Sequence, residues 1–140
     1  MDLIEQLRRD EGVRYKPYQD SRGFWTCGVG HKLPGAPGSM DPVTDDQVNE
    51  WLAADIQTAT DGLNPYSWFR SLDAVRQGAC LNMAFNLGVF GLLHFPSMIH
   101  YLSVQDWPNA AAQMRSSLWA EQVGARAVRL EQQVESGAWV

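Results

Sequence analysis

The stretch Glu11-Gly-Val-Arg-Tyr-Lys-Pro-Tyr-Gln-Asp20-Ser-Arg-Gly-Phe-Trp-Thr26-Cys-Gly-Val-Gly30-His31 decides how this chain reads. It sets one carboxylate at a helix end, a second nine residues later in a turn, and a threonine six residues beyond that in a strand pattern. Ahead of it, Asp2-x-x-Glu5 has the form of a capping box and Leu3, Ile4 and Leu7 give an apolar stripe. Gly12 suits the left-handed position that follows a helix. Glu11 therefore falls in the last turn, where unpaired carbonyls make the helix end negative and favour the protonated carboxyl that a proton donor needs. Asp20-Ser-Arg-Gly23 is a turn signal between strands expected at Val13–Gln19 and Phe24–Gly30. Asp20 is thus expected among solvent and backbone donors, and ionised. If the two strands pair, Thr26 returns along the second strand towards Asp20.

Two carboxylates held in opposite protonation states are equipment for general acid/base chemistry, glycoside cleavage included. Taken singly, each residue has an ordinary explanation: a solvated helix terminus, a turn aspartate capping its own backbone, a β-branched strand residue. The ordered set Glu-x8-Asp-x5-Thr closed by Gly-x-Gly-His is more specific, and it resembles the phage lysozymes of glycoside hydrolase family 24. The resemblance continues through Ser71-Leu-Asp-Ala-Val-Arg76, Asn82-Met-x-Phe-Asn-x-Gly88, Trp107, Trp119 and Ala125-Arg126-Ala127, so it covers nearly the whole chain. It implies Glu11 as general acid, Asp20 as the carboxylate acting on the nucleophilic water, and Thr26 as that water's partner. It also implies substrate contacts at Gly30, Asn86 and Arg126, and a structural pair between His31 and Asp55. The main departure lies between His31 and Thr44, where a short Pro/Gly loop replaces a longer insertion, and this bears on the floor of the substrate cleft.

The fold expected is α+β and lysozyme-like, in a single catalytic domain over 1–140. A β-lobe at about 12–43 and a connecting helix at about 45–62 precede a helical lobe at about 63–140, which also takes the N-terminal helix 2–11. Thr44-x-x-Gln47 opens the connecting helix, and Val48, Trp51, Leu52, Asp55, Ile56, Ala59 and Leu63 follow its period. Asp55 stands on that apolar stripe. From Ser71 to Leu87 apolar residues lie on all sides, the mark of a buried helix, broken only by Asn82 and Asn86 at i, i+4. Buried amides must find partners, which core hydrogen bonds or a ligand can supply. Shorter helices are expected at Phe90–Leu93, Ser97–Ser103, and Trp107–Arg115 behind Asp106. Trp51, Trp107 and Trp119 fit core spacing, leaving Trp25 beside the site.

Composition narrows the function further. The chain has 140 residues, 45% hydrophobic and 19% charged, as a folded globular domain has. No apolar run approaches the roughly 20 residues of a membrane span, and the N-terminus lacks the apolar run of a signal peptide, so no stable membrane insertion is expected. Residues 41–61 carry six acidic and no basic side chains, so of the net charge of −5 the remainder of the chain holds +1. That distribution argues against a nucleic-acid partner. The three histidines show no metal-ligand spacing, Gly28-Val-Gly30 lacks the rest of a nucleotide loop, and no cofactor is expected. Cys27 and Cys80 are expected to pack as small hydrophobes rather than to bridge.

By resemblance, the activity expected is that of an endolysin: hydrolysis of the β-1,4 bond between N-acetylmuramic acid and N-acetylglucosamine in peptidoglycan, with inversion. The expected partner is the peptidoglycan glycan strand, for a monomer made in the host cytoplasm and released to the periplasm. Two alternatives stand beside it: a lytic transglycosylase, which needs an acid but not the water partners, and an inactive peptidoglycan-binding tail component.

Overall fold

A three-stranded antiparallel sheet and eight helices account for the regular structure of the chain in a computed structural model that describes residues 1–140. The fold is thus α+β and dominated by helices, as the lysozyme-like reading requires. The chain divides into two compact units, Ile4–Thr58 and the combination of Met1–Leu3 with Ala59–Val140. The N-terminal helix, expected with the helical lobe, groups from Ile4 onward with the sheet instead. The reason is tertiary: Arg8 Nη1 donates to Asn49 Oδ1 at 3.1 Å, and the Glu11 side chain lies beside Gly30.

In the first unit, helix α1 (Leu3–Glu11) ends where the Gly12 N–H donates to the Arg8 carbonyl at 3.1 Å with Gly12 at φ +74°. Strands β1 (Arg14–Gln19), β2 (Trp25–Gly28) and β3 (His31–Lys32) follow, paired in chain order. Pairing of β1 with β2 sets Tyr18 opposite Thr26 and Gln19 opposite Trp25, with an irregularity between Arg14 and Tyr18. Pro17 lies in that interval on an edge strand, where a residue without an N–H costs the sheet least. The third strand was not expected; β2 ends at Gly28, and Gly28 and Gly30, at φ +69° and +63°, turn the chain back so that Cys27 meets His31 and Thr26 meets Lys32.

Helix α2 (Asp45–Leu63) begins one residue later than its capping threonine, whose Oγ1 accepts the Gln47 N–H at 3.2 Å. The entry to α2 is fastened to β1: the Val43 N–H donates to the Tyr15 carbonyl at 2.8 Å and the Tyr15 hydroxyl donates to Asp45 Oδ1 at 2.6 Å. Leu7, Cys27, Val29, Val48 and Leu52 are buried, so α1, the sheet and α2 contribute jointly to the interior of this unit. Close approach of α2 to the sheet explains Gly28, since a Cβ there would lie 3.3 Å from the Trp51 ring.

The second unit is helical. Helices α3 (Ser67–Arg70), α4 (Ala74–Leu92), α5 (Pro96–Ser103), α6 (Trp107–Arg115), α7 (Leu118–Val123) and α8 (Ala125–Ser136) surround a core that includes Phe69, Met83, Leu92, Met98, Leu102, Met114 and Leu130. The buried helix expected over Ser71–Leu87 is α4. It starts at the cap Asp73, whose side chain accepts from the Arg76 N–H, and it runs past Leu87 across a break at Gly88 (φ +75°, ψ 158°). The separate piece expected at Phe90–Leu93 is therefore the continuation of α4 beyond that kink. Short α3 escaped the pattern because four residues show no period. Asp106 caps α6 as its sequence position indicates, and Ser117 caps α7 by accepting the Ala120 N–H.

Arg76 ties three elements of this unit together. Its Nε donates to the Val134 carbonyl at 2.7 Å, Nη2 to the Glu135 carbonyl at 3.3 Å, Nη1 to Asp73 at 3.0 Å, and its guanidinium lies 3.9 Å from the Trp107 ring centroid. The last carbonyls of α8 thereby gain donors that the helix itself cannot supply. Arg76→Met keeps the aliphatic stem but loses those donors and the ring contact. It should cost about 3 kcal/mol, a fall in Tm of roughly 6–12 °C, checked by thermal denaturation at neutral pH.

Candidate active site

Six of the eight residues singled out in the sequence, Glu11, Asp20, Thr26, Gly30, His31 and Asp55, lie in the unit formed by Ile4–Thr58. Asn86 and Arg126 lie in the helical unit. Glu11 is the last residue of α1 and is half-buried. Its carboxyl group lies beside Gly30: a Cβ on that glycine would sit 3.5 Å from Glu11 Oε2. With φ at +63°, position 30 has a left-handed backbone, so a side chain there would be strained, while its Cβ would stand in ordinary contact with Glu11.

Asp20 closes the β1–β2 turn. Its Oδ1 accepts the N–H groups of Arg22 and Phe24, both at 2.9 Å, while its own N–H donates to the Phe24 carbonyl at 2.9 Å. The Phe24 amide is the main cause that holds the Asp20 carboxyl below the usual carboxylate range. Partial desolvation opposes it, and the Arg22 amide with the Lys32 and Arg22 charges adds to it. Asp20 is therefore an acceptor at neutral pH, and both backbone bonds fall on one of its oxygens.

Thr26 stands at the centre of the three-stranded row Tyr18–Thr26–Lys32 and is 3% exposed. Its hydroxyl donates to the Phe24 carbonyl at 3.0 Å. The proton is thus committed, and what the Thr26 oxygen still offers is lone pairs. On the opposite face of the sheet, the His31 ring is stacked on Trp51, centroids 4.6 Å apart and planes within 10°, and its Nδ1 lies 2.8 Å from Asp55 Oδ2. An ionised carboxylate only accepts, so this bond requires the proton on Nδ1. Trp51, placed in the core by its spacing, is half-buried and serves as the surface on which His31 rests.

In the helical unit, Asn82 is fully buried and Arg126 is 8% exposed. Arg126 Nε donates to Asn82 Oδ1 at 2.9 Å and Nη2 to the Asn82 carbonyl at 3.3 Å, so the buried amide does have a partner. Asn86 is exposed, and its Oδ1 accepts the indole N–H of buried Trp119 at 2.8 Å. Both cysteines are buried and free, and burial pushes the Cys80 thiol up to about 12, which makes it inert. No single helix is long and apolar enough to cross a membrane, and no group of three or more His, Cys, Asp or Glu side chains is placed to hold a metal ion.

One residue beside the site was not singled out by sequence pattern. Tyr18 is half-buried, stands opposite Thr26, and carries the Arg14 guanidinium 4.4 Å from its ring centroid. The signal was available in the strand register, but only once the position of the turn fixed which residues face each other.

The Phage lysozyme family model matches residues 8–134, and the chain belongs to that family. It is 30% identical over 98% of its length to the pre-baseplate central spike protein Gp5 of Enterobacteria phage T4, of which it spans 28%. Similarity to probable T4-type lysozyme 1 of Dictyostelium discoideum is 27% identity over 96% of this chain and 94% of that protein. The endolysin of Salmonella phage P22 is 37% identical over 61% of this chain and 60% of the endolysin.

The donors on Asp20 make a pH prediction. A carboxyl whose folded value is depressed stabilises the fold above its unfolded value of about 3.9, and that contribution is lost as pH falls through the lower folded value. An NMR titration of the Asp20 side chain should give a midpoint below the unfolded value. Lys32→Ala should raise that midpoint while leaving both backbone bonds in place.

Proposed function

We propose that this chain is a peptidoglycan hydrolase that cleaves the β-1,4 bond between N-acetylmuramic acid and N-acetylglucosamine with inversion. The observation that carries this reading is the different treatment of two carboxyl groups in one unit: Asp20 is fixed in its ionised form by backbone donors, and Glu11 sits at a helix end against Gly30. Family membership supports it, and so do the lysozyme and endolysin names of the relatives.

In the proposed reaction Glu11 donates its proton to the leaving glycosidic oxygen. Asp20, through Oδ2, accepts one hydrogen of the attacking water, and the Thr26 oxygen accepts the other. The assignment follows from the hydrogen bonds each group has already made: Oδ1 of Asp20 is engaged by two amides, and the Thr26 hydroxyl proton by a carbonyl. With both hydrogens held, the water's free lone pair is the one that attacks the sugar carbon, and the proton released goes to Asp20. An inverting displacement needs room for that water, about 6.5–9.5 Å between the carboxyl groups. No step calls for a metal or cofactor.

Substrate contacts are assigned to Gly30, Asn86 and Arg126. Asn86 has its oxygen engaged by Trp119, so its amide N–H groups are what it offers a sugar. A lytic transglycosylase would need Glu11 but would have no use for the Asp20 and Thr26 acceptors. The likeness to a central spike protein supports a second reading of where the domain acts: the same hydrolase as part of a virion component rather than a free endolysin. For the free form we propose a monomer that is released from the host cytoplasm to the periplasm.

Purified peptidoglycan and outer-membrane-stripped cells test the proposal. Glu11→Gln and Asp20→Asn should each reduce lysis about 10²–10⁴-fold with the fold intact by circular dichroism. Thr26→Ala should lose about tenfold, the scale of a single hydrogen bond. Lysis by Glu11→Gln at more than a tenth of the unmutated rate would remove Glu11 as the acid.

A further inference from the structure

Tyr18, Thr26 and Lys32 are directly opposite one another on the three strands, so their side chains leave the same face of the sheet. His31 and its register partner Cys27 occupy the other face, where His31 meets Trp51. The Tyr18 ring is half-buried and covered by the Arg14 guanidinium at 4.4 Å, which restrains it by cation–π attraction. The side chain of buried Thr26 is therefore bordered on the β1 side by a restrained phenol.

We propose that Tyr18 is a positioning residue for the hydrolytic reaction, its hydroxyl donating a hydrogen bond that orders the water held by Asp20 and Thr26. This rests on the hydrolase reading above. The role complements what the other two groups supply. Asp20 and Thr26 are both acceptors towards the water, so they fix its hydrogens but not its oxygen; a third, donating group on the same face restricts the remaining rotation.

The charges around Tyr18 keep it a donor. Burial is the largest influence raising its ionisation above that of a free phenol, the Glu11 and Asp20 carboxylates and Cys27 act in the same direction, and Arg14 opposes them. These groups come from α1, from the turn, and from β2 and β1 in that order, and the same two carboxylates are the proposed catalytic pair. The phenol thus stays protonated at neutral pH, where Asp20 is ionised.

Tyr18→Phe separates this role from simple packing, because phenylalanine keeps the ring and its Arg14 contact and removes only the hydroxyl. Steady-state kinetics on soluble peptidoglycan fragments should show kcat reduced about tenfold, with KM within about twofold and Tm unchanged. Arg14→Gln, which leaves the hydroxyl but releases the ring, should lower kcat by a smaller factor, again at constant KM. Wild-type kcat in Tyr18→Phe would overturn the proposal, as would a loss confined to KM or one that merely follows a lowered Tm. If the unmutated chain is active and Tyr18→Phe is silent, only the Tyr18 role falls. If the unmutated chain cleaves no glycan, the hydrolase reading falls and Tyr18 with it.

Discussion

A single carboxylate oxygen, Oδ1 of Asp20, holds the β1–β2 hairpin in register by accepting the N–H groups of Arg22 and Phe24. The pairing of β1 with β2 follows from that turn. Because strand side chains alternate faces, a slip of one residue would exchange the two faces completely. Thr26 would then no longer stand opposite Tyr18. The same two donors that set the register also stabilise the charge on Asp20. Fold and chemistry thus depend on one local arrangement, which is why the turn, rather than a large apolar core, organises this unit.

Backbone conformation supplies the second constraint. Gly12, Gly28 and Gly30 all have positive φ, and each ends or turns an element at a place where the chain must bring groups together. Gly12 stops α1 directly after Glu11. Gly28 lets the sheet approach Trp51, and Gly30 lets the backbone come up to the Glu11 carboxyl. In the helical unit, polar ties do comparable work. Arg76 satisfies the end of α8, Arg126 satisfies buried Asn82, and Trp119 orients Asn86. A buried polar group left without a partner would cost about 1–3 kcal/mol.

Much of this was legible in the sequence because it rests on local chemistry. The Asp20–Gly23 turn, the Thr44 cap of α2, the Asp106 cap of α6 and the all-round apolar pattern of α4 can be read from neighbours a few residues apart. What was missed depends on tertiary approach. Strand β3 has two residues and no period, and it exists because Gly28 and Gly30 reverse the chain. Helix α1 divides with its larger part on the sheet unit because Arg8 and Glu11 find partners at Asn49 and Gly30, residues distant in sequence. Tyr18 acquires meaning only from the register, and the continuation of α4 past Gly88 from the packing of Leu92 in the core. Of the candidate site, the residue set was proposed from an ordered pattern; that both amide bonds of Asp20 fall on Oδ1, and that the Thr26 hydroxyl donates to the Phe24 carbonyl, could not be read from it.

The central claim is that the Asp20–Thr26 face directs a water onto the sugar that Glu11 helps to release. Digesting peptidoglycan in ¹⁸O-labelled water, and examining the muramic acid ends by mass spectrometry and early-time NMR, tests it most directly. The account predicts one ¹⁸O at each new reducing end and the α anomer as the first product. An anhydro-muramic end without label, or a labelled end that appears first as the β anomer, would contradict it.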